Sequence, residues 1–364
     1  MDNIVYILGA GFSAPLGLPL MSNFWLKASQ LARSEPELGT IDALIDRLKS
    51  IDAVRGYYRH EMHNLEEALS VIEMQDALEG KHETENFKKM IAQVIASSTK
   101  EMPIVEPTGF SEQNWLDTLF GRDANSPLGG TNWPLFGHFV GSLLGLQLRL
   151  SEVQNPRGGA PNYICKVVGG GKNENNYSVI TLNYDTILEK VCEFMNRTFL
   201  PQSYNANFAS ESKDEPSGLR RPPLIHLHGS INAPQDIILP TYNKAFRQSA
   251  MPPSWRSAKE LLMKANQIRM IGYSLPQSDT YIKYLLKAAL GKRLEKFDIL
   301  CLDDEDHTVE KRYEDFVEFQ PRRFLNKSTE EYLGELFMLR GTVASSTKEF
   351  FFDKLERVHS EFFH

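Results

Sequence analysis

The sequence predicts an α/β protein: a doubly wound parallel sheet carrying a large helical insertion and C-terminal helices. Three observations predict it. The run Ile4-Val5-Tyr6-Ile7-Leu8 is continuously apolar and rich in β-branched residues, the mark of a strand buried on both faces. From residue 177 onward, short apolar runs alternate with amphipathic stretches, and strand–helix alternation builds parallel sheets. Between these regions, from about Ser22 to Lys100, apolar residues recur at helical spacing and no strand pattern intervenes: Leu44, Leu48 and Ile51, then Leu65, Ala68, Leu69 and Ile72.

In chain order, the first strand runs into Gly9-Ala10-Gly11-Phe12-Ser13 and a second turn, Pro15 to Pro19. After the helical block comes a Pro/Gly-punctuated stretch from Glu101 to Trp133, then an expected helix from about Leu135 to Glu152 and a Gly/Asn-rich loop ending near Asn176. Tyr177 to Leu182 reads as a strand, followed by Asn183-Tyr184-Asp185 and a helix to about Arg197. A polar loop holding Ser210 to Pro223 leads to a strand over Leu224 to Leu227, and Ile237 to Leu239 reads as another short one. A helix over Ser254 to Asn266 precedes a strand over Ile268 to Ile271, which opens into Gly272-Tyr273-Ser274-Leu275-Pro276. A helix from about Asp279 to Leu290 and a strand over Phe297 to Leu302 follow, the strand closing on Asp303-Asp304. From about Val309 the pattern is helical to the C-terminus.

Composition narrows the function. With 364 residues, 41% hydrophobic and 24% charged, the chain has ordinary globular composition and enough length for a core without disulfides or metals. A net charge of −7 argues against a chain-wide nucleic-acid surface. Cys165, Cys192 and Cys301 stand far apart and form no CxxC pair, which excludes a zinc ribbon and argues against a disulfide framework. Met1-Asp2-Asn3 lacks the opening of a secretory signal. The apolar stretch Phe136 to Leu150 is interrupted by polar residues and too short to span a bilayer. A soluble, cytoplasmic chain is expected.

Ligands of doubly wound sheets bind beyond the carboxyl ends of the strands, so the residues there are the candidates. Gly9-x-Gly11-x-x-Ala14 fits the dinucleotide-binding turn, in which glycines let backbone approach a pyrophosphate. It equally fits a plain strand–helix connection, and the acidic residue expected about 20 positions on is missing. His226 and His228 alternate on one strand; His226 reads as a satisfied core histidine and His228, at the strand end, as a base. Asn183 and Asp185 flank Tyr184 at another end. Asp185 also suits a helix cap, as does Asp279 or Ser278 before the later helix. Asp303 and Asp304 fit a solvated strand exit.

Together these segments resemble the sirtuin family. Gly9 to Pro19 looks like the sirtuin opening GAG-x-S-x-x-x-G-[IL]-P. Thr181-Leu182-Asn183-Tyr184-Asp185 is similar to the T-x-N-Y-D segment of bacterial sirtuin-like proteins. Leu227-His228-Gly229-Ser230 matches the segment that carries the sirtuin catalytic histidine, and Gly272 to Asp279 fits G-Y-S-L-P-x-x-D. The D-F-R after the opening and the four zinc cysteines are absent, which puts protein deacylation in doubt. The branch the chain resembles includes NAD hydrolases of bacterial antiphage defence.

The resemblance implies a Rossmann-like NAD-binding core over 1–20 and 177–308, a mainly helical insertion over 21–176 and a C-terminal helical segment over 309–364. It implies catalysis by Asn183, His228 and Asp185, and NAD contacts from Gly9, Ala10, Gly11, Phe12, Ser13, Gly272, Tyr273, Ser274, Asp279 and Asp303. NAD is then substrate, and zinc is not expected. The alternatives are a slow nucleotide-binding sensor or assembly subunit and, behind it, a zinc-less deacylase. Phe350-Phe351-Phe352 on an expected C-terminal helix, with Phe362 and Phe363, suggest an exposed apolar patch. On that basis a homo-oligomer or a complex with a second defence protein is expected, with no membrane and no nucleic acid.

Overall fold

The computed structural model describes residues 1–35, 65–80, 82–103, 110–113, 115–121, 126, 128–154, 161–171, 173–201, 204–209, 221–238, 252–277, 279–290, 293–318 and 321–364. Leu44, Leu48 and Ile51 lie outside the described residues, as do Ser278, Leu239 and most of the polar loop after residue 209. Six strands form one fully parallel sheet: β1 (Asn3–Leu8), β4 (Asn176–Thr181), β6 (Leu224–His226), β7 (Gln267–Ile271), β8 (Lys296–Leu300) and β9 (Arg322–Leu325). Their order is β6-β4-β1-β7-β8-β9. The chain steps outward from β1 through β4 to β6, then crosses to β7 on the other side, so the order reverses at β1. Leu8 is in register with both Thr181 and Ile271, and those two with His226 and Leu300. Five strand ends therefore finish level, and the turns that follow them meet.

Both faces of this sheet are covered, as the continuous apolar runs require. One face packs Val5, Ile7, Ile268 and Met270 against α8 (Pro253–Lys264), α9 (Thr280–Ala289) and α10 (Thr308–Phe316). The other packs Ile4, Tyr6 and Leu8 against α6 (Trp133–Leu143), α7 (Ile187–Thr198), α11 (Thr329–Leu339) and α12 (Leu355–Phe362). The second core continues into the helices that precede these, α2 (Phe24–Ser34), α4 (Glu83–Ser98) and α5 (Trp115–Phe120). The remaining α-helices among the described residues are the single turn α1 (Ala10–Ser13) and α3 (Leu65–Glu79).

The structure corrects three expectations. The helix expected over 135–152 stops at Leu143, and β2 (Gln147–Val153) follows. Gly145, at φ +57°, turns the chain out of the helix. Beyond it Leu148 and Leu150 are buried while Arg149 is exposed, a period of two within a leucine-rich run. The loop expected before residue 176 contains β3 (Asn162–Gly169). The C-terminal stretch expected to be helical supplies β9 and two more strands, β10 (Thr342–Ala344) and β11 (Glu349–Phe351). With β5 (Leu200–Pro201) these make a second sheet ordered β10-β11-β2-β3-β5.

Phe350 and Phe352 are consequently core residues, 1% and 4% exposed, against Phe120, His138 and each other. Phe362 and Phe363 pack partly buried on the same core. Phe351 is likewise only half-buried, so the expected exposed patch of five rings is reduced to the partly covered edges of Phe351, Phe362 and Phe363. Two smaller differences concern the site: β6 ends at His226, and Ile237 and Ile238 are irregular backbone after a short helical turn, Pro234–Asp236.

Candidate active site

The level strand ends enclose a cavity of about 160 Å³. Of the residues proposed from sequence, Gly9, Ala10, Ser13, Asn183, Asp185, His228, Gly272, Tyr273, Ser274 and Asp279 line it. Three do not. Gly11 lies behind the wall, Phe12 is buried against Phe136 and Phe139, and Asp303 is turned away. Asp303 accepts the amides of Val309 and Glu310 at 2.7 and 2.9 Å, capping α10. The sequence offers Asp303 as a solvated strand exit or an NAD contact, and the capping role comes from the structure. Asp303, His307 and Glu310 are also spaced as metal ligands are. Both Asp303 oxygens are already taken by the cap, however, and the cluster carries no argument for a metal.

The glycines of the first turn answer to the neighbouring turn. Gly9 N donates to Ile271 O at 2.9 Å and Gly11 N to Gly272 O at 2.8 Å. A Cβ on Gly9 would stand 2.6 Å from Gly272 O, and one on Gly272 would meet Phe12 N at 2.2 Å. Gly272 also has φ +67°, a conformation L side chains rarely adopt. The glycine spacing thus reflects two turns pressed together, with two amides spent on that contact.

Asn183, Ser13 and Asp185 form a chain. Asn183 Nδ2 donates to Gly9 O at 2.9 Å and to Ser13 Oγ at 3.0 Å. Ser13 Oγ donates to Asp185 Oδ2 at 2.7 Å. Both amide hydrogens of Asn183 are engaged, so its carbonyl Oδ1 is the atom left for a ligand. Asp185 Oδ1 accepts the Ile187 amide at 3.2 Å, so the carboxyl supports the start of α7 and the site together. Burial pushes its pKa up, against the Ser13 and Ile187 hydrogen bonds.

His228 is 3% exposed and stands between Tyr184 and Trp255, ring centroids 6.3 and 6.0 Å away. Those rings are fixed in turn. Trp255 Nε1 donates to Leu227 O at 3.0 Å, and Tyr184 Oη to Ile238 O at 3.3 Å; the Ile238 amide returns to His228 O at 2.8 Å. Asp279, 4% exposed, accepts the Tyr273 hydroxyl at 2.7 Å. The expectation of a satisfied histidine at His226 holds for one nitrogen only: Nε2 stands 2.6 Å from Glu189 Oε1, whereas the buried Nδ1 finds no hydrogen-bond partner among the described residues.

Sequence reasoning missed the apolar wall. Leu18, Leu20, Met21 and Phe24 close one side of the cavity, and Ile91 and Ile95 of α4 complete it. Lys88 of that helix reaches Gln235 O at 3.3 Å, in the segment after His228. The helical spacing of Ile91 and Ile95 signals a buried face without saying what that face covers.

No curated protein matches the chain. Among solved structures it is similar to a Sir2 protein crystallised with an inhibitor, 2'-O-acetyl-ADP-ribose and a deacetylated p53 peptide. The two share 13% identity over 92% of this chain and 93% of that one, with a TM-score of 0.34, too low to carry an argument. The family model described as "SIR2-like domain" matches residues 177–321. The matched stretch bears Asn183, Asp185, His228, Gly272 and Asp279.

Proposed function

We propose that the protein is an NAD glycohydrolase that cleaves the nicotinamide–ribose bond to nicotinamide and ADP-ribose, and that it serves as an NAD-depleting effector in bacterial antiphage defence. The observation that carries the chemistry is the meeting of Asn183, Asp185 and His228 in one cavity, each less than a tenth exposed. The NAD-binding core of this reading is 1–20 with 177–308.

The reaction asks for little acid catalysis, because nicotinamide departs with the electron pair of its C–N bond and leaves neutral. The barrier is positive charge developing at the ribose carbon, together with the placement of a water. Asn183 Oδ1, fixed because Nδ2 is anchored twice, presents a carbonyl dipole to that charge or to the water's hydrogens. His228 takes the proton that the water loses as its oxygen bonds to the ribose carbon, and later gives it to solvent. Asp185 acts through Ser13, which holds the Asn183 amide in place. Leu18, Leu20, Met21 and Phe24 with Ile91 and Ile95 put an apolar wall beside these dipoles, which lowers the dielectric in which they act. Purified protein incubated with NAD should release nicotinamide and ADP-ribose in equal amounts. Intact NAD after prolonged incubation overturns the reading.

A further inference from the structure

Beside the Asn183–Asp185 turn, outside the cavity wall, lies a histidine–carboxylate hydrogen bond that the proposed mechanism does not use. His226 closes β6 in register with Thr181, the last residue of β4. Asn183 follows two residues later, its backbone amide held by Thr181 Oγ1 at 3.1 Å. Glu189, whose Oε1 stands 2.6 Å from His226 Nε2, lies in the first turn of α7. The turn bearing Asn183 and Asp185 therefore runs from β4 to α7, and the His226–Glu189 contact ties α7 back to the strand beside β4.

We propose that Glu189 and His226 are positioning residues that fix the Asn183–Asp185 turn by tying α7 to the end of β6. The inference rests on the NAD cleavage proposed above. Burial works against a charged imidazole here, but the hydrogen bond and charge of Glu189, with the charge of Asp185 behind them, outweigh it and raise the His226 pKa. Glu189 on the helix and Asp185 on the turn are the ionisable groups that bear on it. In return His226 draws down the Asp185 carboxyl that burial pushes up.

The test uses full-length His226→Gln and Glu189→Gln proteins with three readouts: the pH profile of nicotinamide release, the NMR titration of His226, and hydrogen exchange of the Asn183 and Ile187 amides. Without the Glu189 charge the imidazole loses its proton at lower pH, so the alkaline limb of activity moves to lower pH in Glu189→Gln and disappears in His226→Gln. In both variants kcat falls on the order of tenfold or more while KM holds, since misplaced groups cost rate before affinity. Wild-type pH profiles in both variants overturn the proposal even if their melting temperatures drop. A wild-type chain that leaves NAD intact overturns the proposed function instead. The positioning role is then decided by exchange: faster at Asn183 and Ile187 in the variants supports it, and unchanged rates overturn it.

Discussion

Asn183 illustrates how much of a site can depend on one amide. Its two hydrogens bind Gly9 O and Ser13 Oγ, which leaves the carbonyl oxygen as the atom that the proposed mechanism uses. Asn183→Ala should lower kcat/KM for NAD cleavage on the order of 10²–10³-fold, the usual cost of a lost preorganised dipole. His228→Ala should cost on the order of 10²–10⁴-fold, as loss of a general base does. Both variants should fold, because the cavity leaves room where the side chains stood; nicotinamide release and thermal melting together check this. Gly272→Ala behaves differently. Its Cβ would meet Phe12 N at 2.2 Å in a backbone of φ +67°, so the strand-end turns must separate. Its melting temperature should fall well below wild type along with activity, which differential scanning calorimetry measures.

At the scale of elements, the C-terminal helix α12 matters more than its eight residues suggest. Arg269 of β7 is buried under it and donates to both Glu356 oxygens at 2.8 and 2.7 Å, and to Tyr6 Oη at 2.7 Å. Removing Glu356 strands a guanidinium in the core. Glu356→Ala should cost about 3 kcal/mol, the low end for a broken buried pair because Glu356 keeps contact with water. Urea unfolding measures it, and a loss below about 1 kcal/mol would show that Arg269 finds another partner or water. The helix α4 is the other element whose position decides the site, since Ile91 and Ile95 close the cavity. Ile95→Asp should admit water to the wall and lower kcat, with the fold retained by the rest of that face.

For the whole molecule, the joint between sheet and C-terminal helix sets a pH dependence. His359 lies between Tyr332 Oη at 3.1 Å and Asp298 Oδ2 at 2.9 Å. A neutral ring with its proton on Nε2 satisfies both, donating to the carboxylate and accepting the hydroxyl. Burial, with the Arg269 charge, lowers the His359 pKa to about 4. Asp298 is lowered to about 2, because the His359 and Arg323 hydrogen bonds outweigh its burial. Below an unfolded imidazole value of about 6.5 the unfolded chain takes up a proton that folded His359 refuses, so stability falls from there toward about 4. Asp298 adds a second loss, present above its unfolded pKa and gone as pH falls toward about 2. Melting temperature should decline steadily below neutral pH, and His359→Phe should flatten the upper part of that decline.

The sequence by itself determined the parallel sheet and the strand-end half of the cavity. Central strands buried on both faces show as continuous apolar runs such as Ile4–Leu8 and Tyr177–Leu182. The turns after them carry their chemistry within a few residues, at Gly9, Asn183, His228 and Gly272. These signals are local, so no distant partner is needed to read them. The second sheet was decided only by the tertiary structure. Arg149 pairs across strands with Glu349, two hundred residues away, and the three-residue strand bearing Phe350 exists because β2 is there to receive it. Asp303 fits both a ligand contact and a cap by residue type, and the approach of the Val309 and Glu310 amides settles it as a cap. The apolar wall is of the same kind: periodicity marks Ile91 and Ile95 as buried, but only the packing of α4 across the strand ends makes them part of the site.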